Sequence, residues 1–294
     1  MLGVIGDVVQ DVVVSLLEPP REATDTASEI VTTRGGSAAN VAAFAAPRYP
    51  TRFIGAVGAD LTGQVLLADL AARGVEHRVQ VVDGAPTGMI VIMLDERGER
   101  TMYPSRGANC LIGPIDPSWL DDLELLHVTG YSFQSGTTAG SVLEAVEAHR
   151  ARGGLVSLDV SSAGLIAHYG VDAFLDLIER CRPDLLSANE EEGRLLGLFD
   201  DGAPGPSSHR FSGCTVLARH GALATRVIRA GQLLATVPVP PVEGVRDLTG
   251  AGDAFNAGFL TAYLRDRGDV VAACEAGHAL AARVVCSVGA NEAP

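Results

Sequence analysis

Short runs of β-branched residues alternate with Ala- and Leu-rich stretches of helical periodicity along most of the chain. This is the pattern of βαβ units around a largely parallel sheet. Strands are predicted at 3–5, 52–57, 125–128, 155–160, 185–188 and 215–219, and helices at 38–46, 62–73, 139–152, 172–181, 190–196, 251–267 and 270–285. Asp60 stands where the turn after the second strand opens into a helix, and it suits an N-cap.

Two stretches break the alternation. Residues 12–33 pass from a Val-rich run into a polar, Pro-containing segment, and 79–103 hold three strand-like runs at 79–82, 89–94 and 100–103. Asp95-Glu96-Arg97-Gly98 fits a hairpin turn between the last two. Strands without intervening helices predict a small second sheet, built from segments about 12–33 and 80–105, that projects from a single α/β domain spanning 1–294 and covers a site. By composition 200–213 is a loop.

With 294 residues, 47% hydrophobic and 20% charged, the chain has ample apolar surface for a core and is no disordered polymer. The balance of 22 basic and 36 acidic residues gives a net charge of -14, which argues against nucleic acid and anionic membranes as partners. Every basic residue is Arg, so mechanisms that need an amine side chain, a Schiff-base lysine or a Walker A loop, are excluded. No apolar window has the length of a membrane span, and MLGVIGD lacks the basic stretch of a signal peptide. Five cysteines without a C-x-x-C pair fit neither a disulfide framework nor a zinc site. A reduced, cytoplasmic chain is expected.

The segment Asp247-Leu248-Thr249-Gly250-Ala251-Gly252-Asp253 runs small residues directly into a long predicted helix. First-turn N–H groups lack intrahelical partners, and the helix dipole adds positive character there. Gly250, Ala251 and Gly252 can therefore cradle an anion, and Asp253 in the same turn can take a proton from an alcohol. The same residues also suit close helix packing and an acid placed for the dipole alone. Gly35-Gly36-Ser37-Ala38-Ala39-Asn40 is a second glycine-rich helix start, where Asn40 faces either a crevice or the core.

Together these residues carry a resemblance. GGSAANVAAFAA followed by FIGAVGADLTGQVLLADLAARGV, and DLTGAGDAFNAGFL near the end, resemble the two signatures of ribokinase-like (PfkB-type) carbohydrate kinases. Asn189-Glu190-Glu191-Glu192 is similar to the family's N-x-x-E, and Arg106-Gly107-Ala108-Asn109 follows the small sheet as in the family. The resemblance implies a ribokinase-like α/β fold with a central, mostly parallel sheet flanked by helices and a small β-sheet lid. It implies ATP and Mg²⁺, with Asp253 as catalytic base and Gly250, Ala251 and Gly252 as anion hole. By the same resemblance Asp11, Gly35, Gly36, Asn40, Arg106 and Asn109 bind the acceptor, and Asn189, Arg219, Gly221 and His278 bind the nucleotide. Glu192 holds Mg²⁺ through water, and Asp247 and Thr249 match a monovalent-cation (K⁺) site of some members. From the residues alone, Asn189 and Glu192 equally form a capping box, Asp11 a solvated strand-end charge and His278 a packed histidine.

Ribokinases read Gly-Gly-Lys-Gly-Ala-Asn where this chain has Ser37 and Ala38, which puts ribose in doubt as acceptor. Tyr103-Pro104-Ser105-Arg106 is loosely similar to the stretch with which 2-keto-3-deoxygluconate kinases hold a carboxylate; the other reading pairs Arg106 with one of the many surface carboxylates. The expected activity is phosphorylation of a small sugar or sugar acid. A nucleoside kinase needing a stacking aromatic, with Tyr103, Tyr131 and Phe133 as candidates, is the alternative, and a non-catalytic sensing homologue is a third. Exposed lid edges predict a homodimer.

Overall fold

The apolar runs pair into a nine-stranded sheet, seen in a computed structural model that describes residues 1–94 and 100–292. In chain order the strands are β1 (Leu2–Ile5), β2 (Val9–Leu16), β3 (Ser28–Gly35), β4 (Thr51–Gly58), β5 (Glu76–Val82), β6 (Gly88–Leu94), β7 (Arg100–Ser105), β8 (Leu125–Thr129), β9 (Leu155–Asp159), β10 (Leu185–Asn189), β11 (Phe199–Asp200), β12 (Ala203–Pro204), β13 (Thr215–Arg219), β14 (Thr225–Arg229) and β15 (Gln232–Val237). The helices are α1 (Ser37–Ala45), α2 (Leu61–Ala72), α3 (Gly136–Ala151), α4 (Ala163–Tyr169), α5 (Val171–Cys181), α6 (Glu190–Leu195), α7 (Ala251–Arg265) and α8 (Val270–Val284). All six predicted strands and all seven predicted helices are present, with ends shifted by a few residues at most.

The main sheet has the order β15-β14-β13-β10-β9-β8-β1-β4-β5, parallel from β13 to β5 and antiparallel through β14 and β15. Every residue of β1, β4 and β8 is buried. Helices cover both faces, and that is why these strands are continuous apolar runs and not alternating ones. One face packs α3, α4 and α5 through Val142, Val146, Ile166, Phe174 and Ile178. The other packs α1, α7 and α8 through Phe44, Phe255, Phe259, Leu260 and Leu280. Each such side chain contributes about 1.5 to 3 kcal/mol by leaving water. From β1 the main sheet grows to β4 and β5 on one side, and the chain then returns across to add β8 and β9 on the other. That reversal opens a crevice at the carboxyl ends of the strands.

A separate four-stranded sheet, β3-β2-β6-β7, rises beside those strand ends. It begins at Val9 and ends its first hairpin at Gly35, wider than the predicted 12–33. The run at 79–82 belongs instead to β5, parallel to β4 in the main sheet, with Gly55 opposite Val79. The physical reason is that it follows α2, so it is the second strand of a βαβ crossover and docks beside the first. The predicted turn at 95–98 lies outside the described residues.

Helix α4 and the strands β14 and β15 are additions to the predicted set. β14 and β15 form a hairpin with Arg229 opposite Gln232; Arg226 and Arg229 interrupt the apolar run of β14, and β15 exposes Leu233 and Leu234 without an alternating pattern. The predicted loop at 200–213 holds the β11-β12 hairpin and a 3₁₀ turn, Pro206–Phe211. Asp60 caps α2 as expected, accepting from Gly63 N at 2.8 Å. Among the described residues no helix is long and apolar enough to cross a membrane.

Candidate active site

Five strand ends converge on one cavity of about 690 Å³. The turn after β1 brings Asp7, the turn after β8 brings Tyr131 and Gln134, β9 ends on Asp159, β10 on Asn189 and β13 on Arg219. Backbone that leaves a parallel sheet at these ends has no ladder to complete, so its side chains are free to face the crevice. The small sheet adds Val9, Asp11, Ile90, Ile92, Met102 and Pro104, and the starts of α1 and α7 add Gly36, Ser37, Asn40, Gly250, Gly252 and Asp253.

The start of α7 places the predicted segment Gly250, Ala251 and Gly252 at the N-terminus of a long helix beside the cavity. Gly250 is its N-cap with φ of 77°, a left-handed conformation that glycine adopts without strain, and no side chain caps the turn. Ala251 N donates to Leu248 O at 3.2 Å. The next N–H groups, of Gly252 and Asp253, lie in the first turn and have no intrahelical partner. A Cβ on Gly252 would fall 2.5 Å from Arg219 Nη1, so glycine admits the guanidinium to this corner. Asp253 accepts from Ser37 Oγ at 2.6 Å and from Asn40 Nδ2 at 2.8 Å. Burial pushes its carboxyl up to about 6; the two hydrogen bonds and Arg219 hold it back, and Asp159 adds to the rise.

Facing it, Asp11 lies within β2 and not at the end of β1, opposite Thr33 and Ile90. Burial lifts its carboxyl to about 6 as well, with Arg34 opposing and Asp253 adding. Its Oδ1 has no hydrogen-bond partner in the protein, so it can accept one from a hydroxyl in the cavity. Gly35 makes room for it: a Cβ there would sit 2.3 Å from the carboxylate. Gly36, with φ of 93°, turns the chain into α1 against the Asp7 carbonyl.

Two acceptor-side expectations change. Arg106 lines the cavity, but its fork closes on Asp7, with Nε to Oδ2 at 2.8 Å and Nη2 to Oδ1 at 2.6 Å. It also donates to Gln134 Oε1 and to the Tyr131 carbonyl. Burial works against its charge, and the hydrogen bonds and charge of Asp7 more than offset that. The structure therefore pairs Arg106 with a carboxylate of the protein, but with the buried Asp7 and not with a surface carboxylate as the second reading expects. Asn109 does not face the cavity. It is fully buried and spends its amide on Val8 N, Val8 O and Arg106 O, bracing the turn that carries Asp7 and Arg106.

On the opposite side, Asn189 and Glu192 line the cavity and form the capping box of α6: Asn189 Oδ1 accepts from Glu192 N, and Glu192 Oε2 from Asn189 N, each at 2.9 Å. Burial and the neighbouring charge of Asp159 raise the Glu192 carboxyl well above its usual range. Asp159 is the principal residue missed by sequence reasoning. Its Oδ2 accepts from Arg219 Nη2 at 2.7 Å and Asn256 Nδ2 at 2.8 Å. The signal was an acid ending a buried strand beside a parallel sheet's switch point. Arg219 keeps a buried Nε without a partner.

Gly221 and His278 fall outside the cavity lining. Gly221 is exposed in the turn between β13 and β14. His278 is packed on Phe255 with ring centroids 5.3 Å apart, and its Nε2 lies 2.8 Å from Thr225 Oγ1. Asp247 ties two loops, accepting from Thr249 N and Gly289 N at 2.8 Å each, and Thr249 lines the cavity. Among the described residues no group of three or more His, Cys, Asp or Glu could hold a metal ion by itself. The oxygen donors of Glu192 and Asp159 suit a Mg²⁺ that keeps waters and substrate phosphates in its shell.

Comparison with known proteins identifies the family and the fold. Residues 1–294 match the pfkB family carbohydrate kinase. The ribokinase of Arabidopsis thaliana is 30% identical over 280 residues, covering 90% of this chain and 71% of that protein. The ATP-dependent ribose-1-phosphate kinase of Halopiger xanaduensis is 33% identical over 265 residues, covering 88% and 83%. The solved structure of a putative ribokinase II from E. coli in complex with ATP and Mg²⁺ superposes with a TM-score of 0.83 at 24% identity, covering 98% and 94%, and shares the fold.

Proposed function

The chain belongs to the pfkB family of carbohydrate kinases and is a carbohydrate phosphotransferase, and from that premise we propose that it transfers the γ-phosphoryl group of MgATP to a hydroxyl of a small, uncharged sugar. The observation that carries the reading is the position of Asp253 on the first turn of α7, beside the open amides of that turn and in one cavity with Asp11.

Asp11 accepts a hydrogen bond from one acceptor hydroxyl and orients the sugar. Asp253, ionised above about pH 6, takes the proton of the attacking hydroxyl as its oxygen bonds to the γ-phosphorus. The bond from that phosphorus to the bridging oxygen breaks, and ADP leaves. The amides of Gly252 and Asp253 and the guanidinium of Arg219 face the negative charge of the phosphoryl group in flight. Bound Mg²⁺, held through Glu192 and water, would neutralise the phosphate oxygens. The small sheet closes the acceptor side against water, which would otherwise hydrolyse ATP.

An uncharged acceptor is favoured because Asp7 already occupies the fork of Arg106, while Asp11 and Asp253 repel a substrate anion. A sugar is favoured over a nucleoside because, of the three aromatic candidates, only Tyr131 lines the cavity. The small sheet presents Ile90, Ile92, Met102 and Pro104, which offer no ring for a base to stack on. Phe133 is in the core and Tyr103 is exposed elsewhere. The outer strands β3 and β7 of the small sheet end in unpaired edges, and Ile30 and Val31 are more than half exposed. A homodimer through this sheet is part of the proposal, and a monomer mass by light scattering would remove it.

Asp253→Asn tests the central step. Turnover should fall by about 10² to 10⁴ while calorimetric ATP binding persists. Near-wild-type kcat in that variant would overturn the assignment.

A further inference from the structure

We infer that Arg34 is a positioning residue for the base: it fixes the side-chain amide of Asn40 so that the NH₂ end, and not the carbonyl end, faces Asp253. The inference rests on the reading of Asp253 as base and names a residue behind the cavity that serves it.

Arg34 is near the end of β3, its side chain 3% exposed, and it is not part of the cavity lining. Its Nη1 donates to Asn40 Oδ1, and Asn40 Nδ2 donates to Asp253 Oδ2 at 2.8 Å. On its far side Nε donates to Asp69 Oδ2 at 2.9 Å, and Asp69, on α2, also accepts from Arg73 at 3.0 Å. One line of contacts therefore runs from α2 to the catalytic carboxylate.

A primary amide presents an acceptor and a donor of nearly equal shape. Set between a cation and an anion, it has one orientation with two attractive contacts and another with two repulsive ones. Without the cation, Asn40 is free to turn its carbonyl towards an acceptor hydroxyl or solvent, and Asp253 loses a donor. The burial of Arg34 needs such an explanation, because an arginine is seldom this buried without a paired role. Asp69 alone does not supply it, being a third exposed and already served by Arg73.

The other charged or titratable groups facing Asp253 are Asp11 on β2, Tyr131 in the turn after β8, Asp159 on β9, Glu192 on α6 and Arg219 on β13. Arg219 is bonded to Asp159. The charge of Arg34 also opposes the upward shift of Asp11, so its removal acts on both acceptor-side carboxylates in the same direction.

The test compares Arg34→Met and Arg34→Lys with wild type, with Asp253→Asn as control. It reads thermal unfolding, kcat and KM separately, and the pH dependence of kcat/KM. Arg34→Met should lower kcat at pH 8 roughly tenfold, leave KM for ATP in place, and move the acid limb upward by about one pH unit. Arg34→Lys keeps the cation that faces Asn40 Oδ1, so it should recover most of kcat and leave the limb near its wild-type position. A folded Arg34→Met variant with wild-type kcat and limb overturns the inference. If that variant does not fold, the neutral Arg34→Gln takes its place: reduced kcat with a raised limb supports the inference, and wild-type kcat and limb overturn it. Retained turnover in Asp253→Asn would instead strike the reading of the base.

Discussion

Ser37, the first residue of α1, donates its hydroxyl to Asp253 Oδ1 at 2.6 Å across 216 positions of the chain. The position at which this sequence departs from the ribokinase pattern thus touches the proposed base directly. Its hydrogen bond favours the ionised carboxylate and opposes the upward push of burial. Ser37→Ala should raise the Asp253 carboxyl further above about 6, by roughly half to one unit. The pH-rate profile checks this: kcat/KM should fall several-fold near pH 6 and much less at pH 8.

Asp11 should trade stability for binding. Its carboxyl is raised from 3.8 to about 6, so between those values the folded state binds more protons than the unfolded one, and stability drops as pH rises through the window. Asp11→Asn removes that cost. The variant should melt higher than wild type at pH 8, by at most about 3 kcal/mol, and the gain should vanish near pH 4. The KM for the acceptor should rise, since the replacement amide accepts a hydroxyl less strongly. A variant no more stable than wild type at pH 8 would show that Asp11 is not held under strain.

Asp7→Asn should leave Arg106 as a buried, half-satisfied cation, at a cost of about 3 kcal/mol or more. Freed from Asp7, the guanidinium can pair with a ligand carboxylate. The ratio of kcat/KM for a carboxylate-bearing sugar to that for its uncharged counterpart should therefore rise by about tenfold. Steady-state assays on a matched pair, such as glucuronate and glucose, measure it. An unchanged ratio would remove Asp7 as the reason for preferring uncharged acceptors.

Asp60 joins α2 to the small sheet. It accepts from Gly63 N at 2.8 Å, from Thr87 N at 2.7 Å and from Thr87 Oγ1 at 2.6 Å. Burial would raise its carboxyl, but these bonds more than offset that and hold it below 3.8. Asp60→Ala should cost about 2 kcal/mol at neutral pH. The cost should shrink as pH falls below 3.8, where the wild-type carboxyl gains its proton. Thr87 directly precedes β6, so acceptor KM should rise too. Denaturant unfolding at pH 7 and pH 3 separates the outcomes.

Much of this protein is written locally. The βαβ rhythm, the small second sheet and the Asp60 cap follow from periodicity and turn chemistry, because each depends on residues within one helix turn or one strand. The same holds for the start of α7, where the amides of Gly252 and Asp253 lack an intrahelical partner as at any uncapped helix start. What the chain could not reveal by itself is which distant charges meet. Asp7 and Arg106, Asp159 and Arg219, and Arg34 and Asn40 with Asp253 are joined only after β1, β3, β9, β13 and α7 are packed. A carboxylate or guanidinium has the same local propensity whether solvated or paired; its partner is set by sheet order. Hence the sequence left Arg106 open between a ligand carboxylate and one of the protein, and only the packed turns after β1 and β7 name buried Asp7 as its partner. Asp159 passed unnoticed in a strand that looked simply hydrophobic, and 79–82 joined the large sheet because α2 carries the chain back alongside β4.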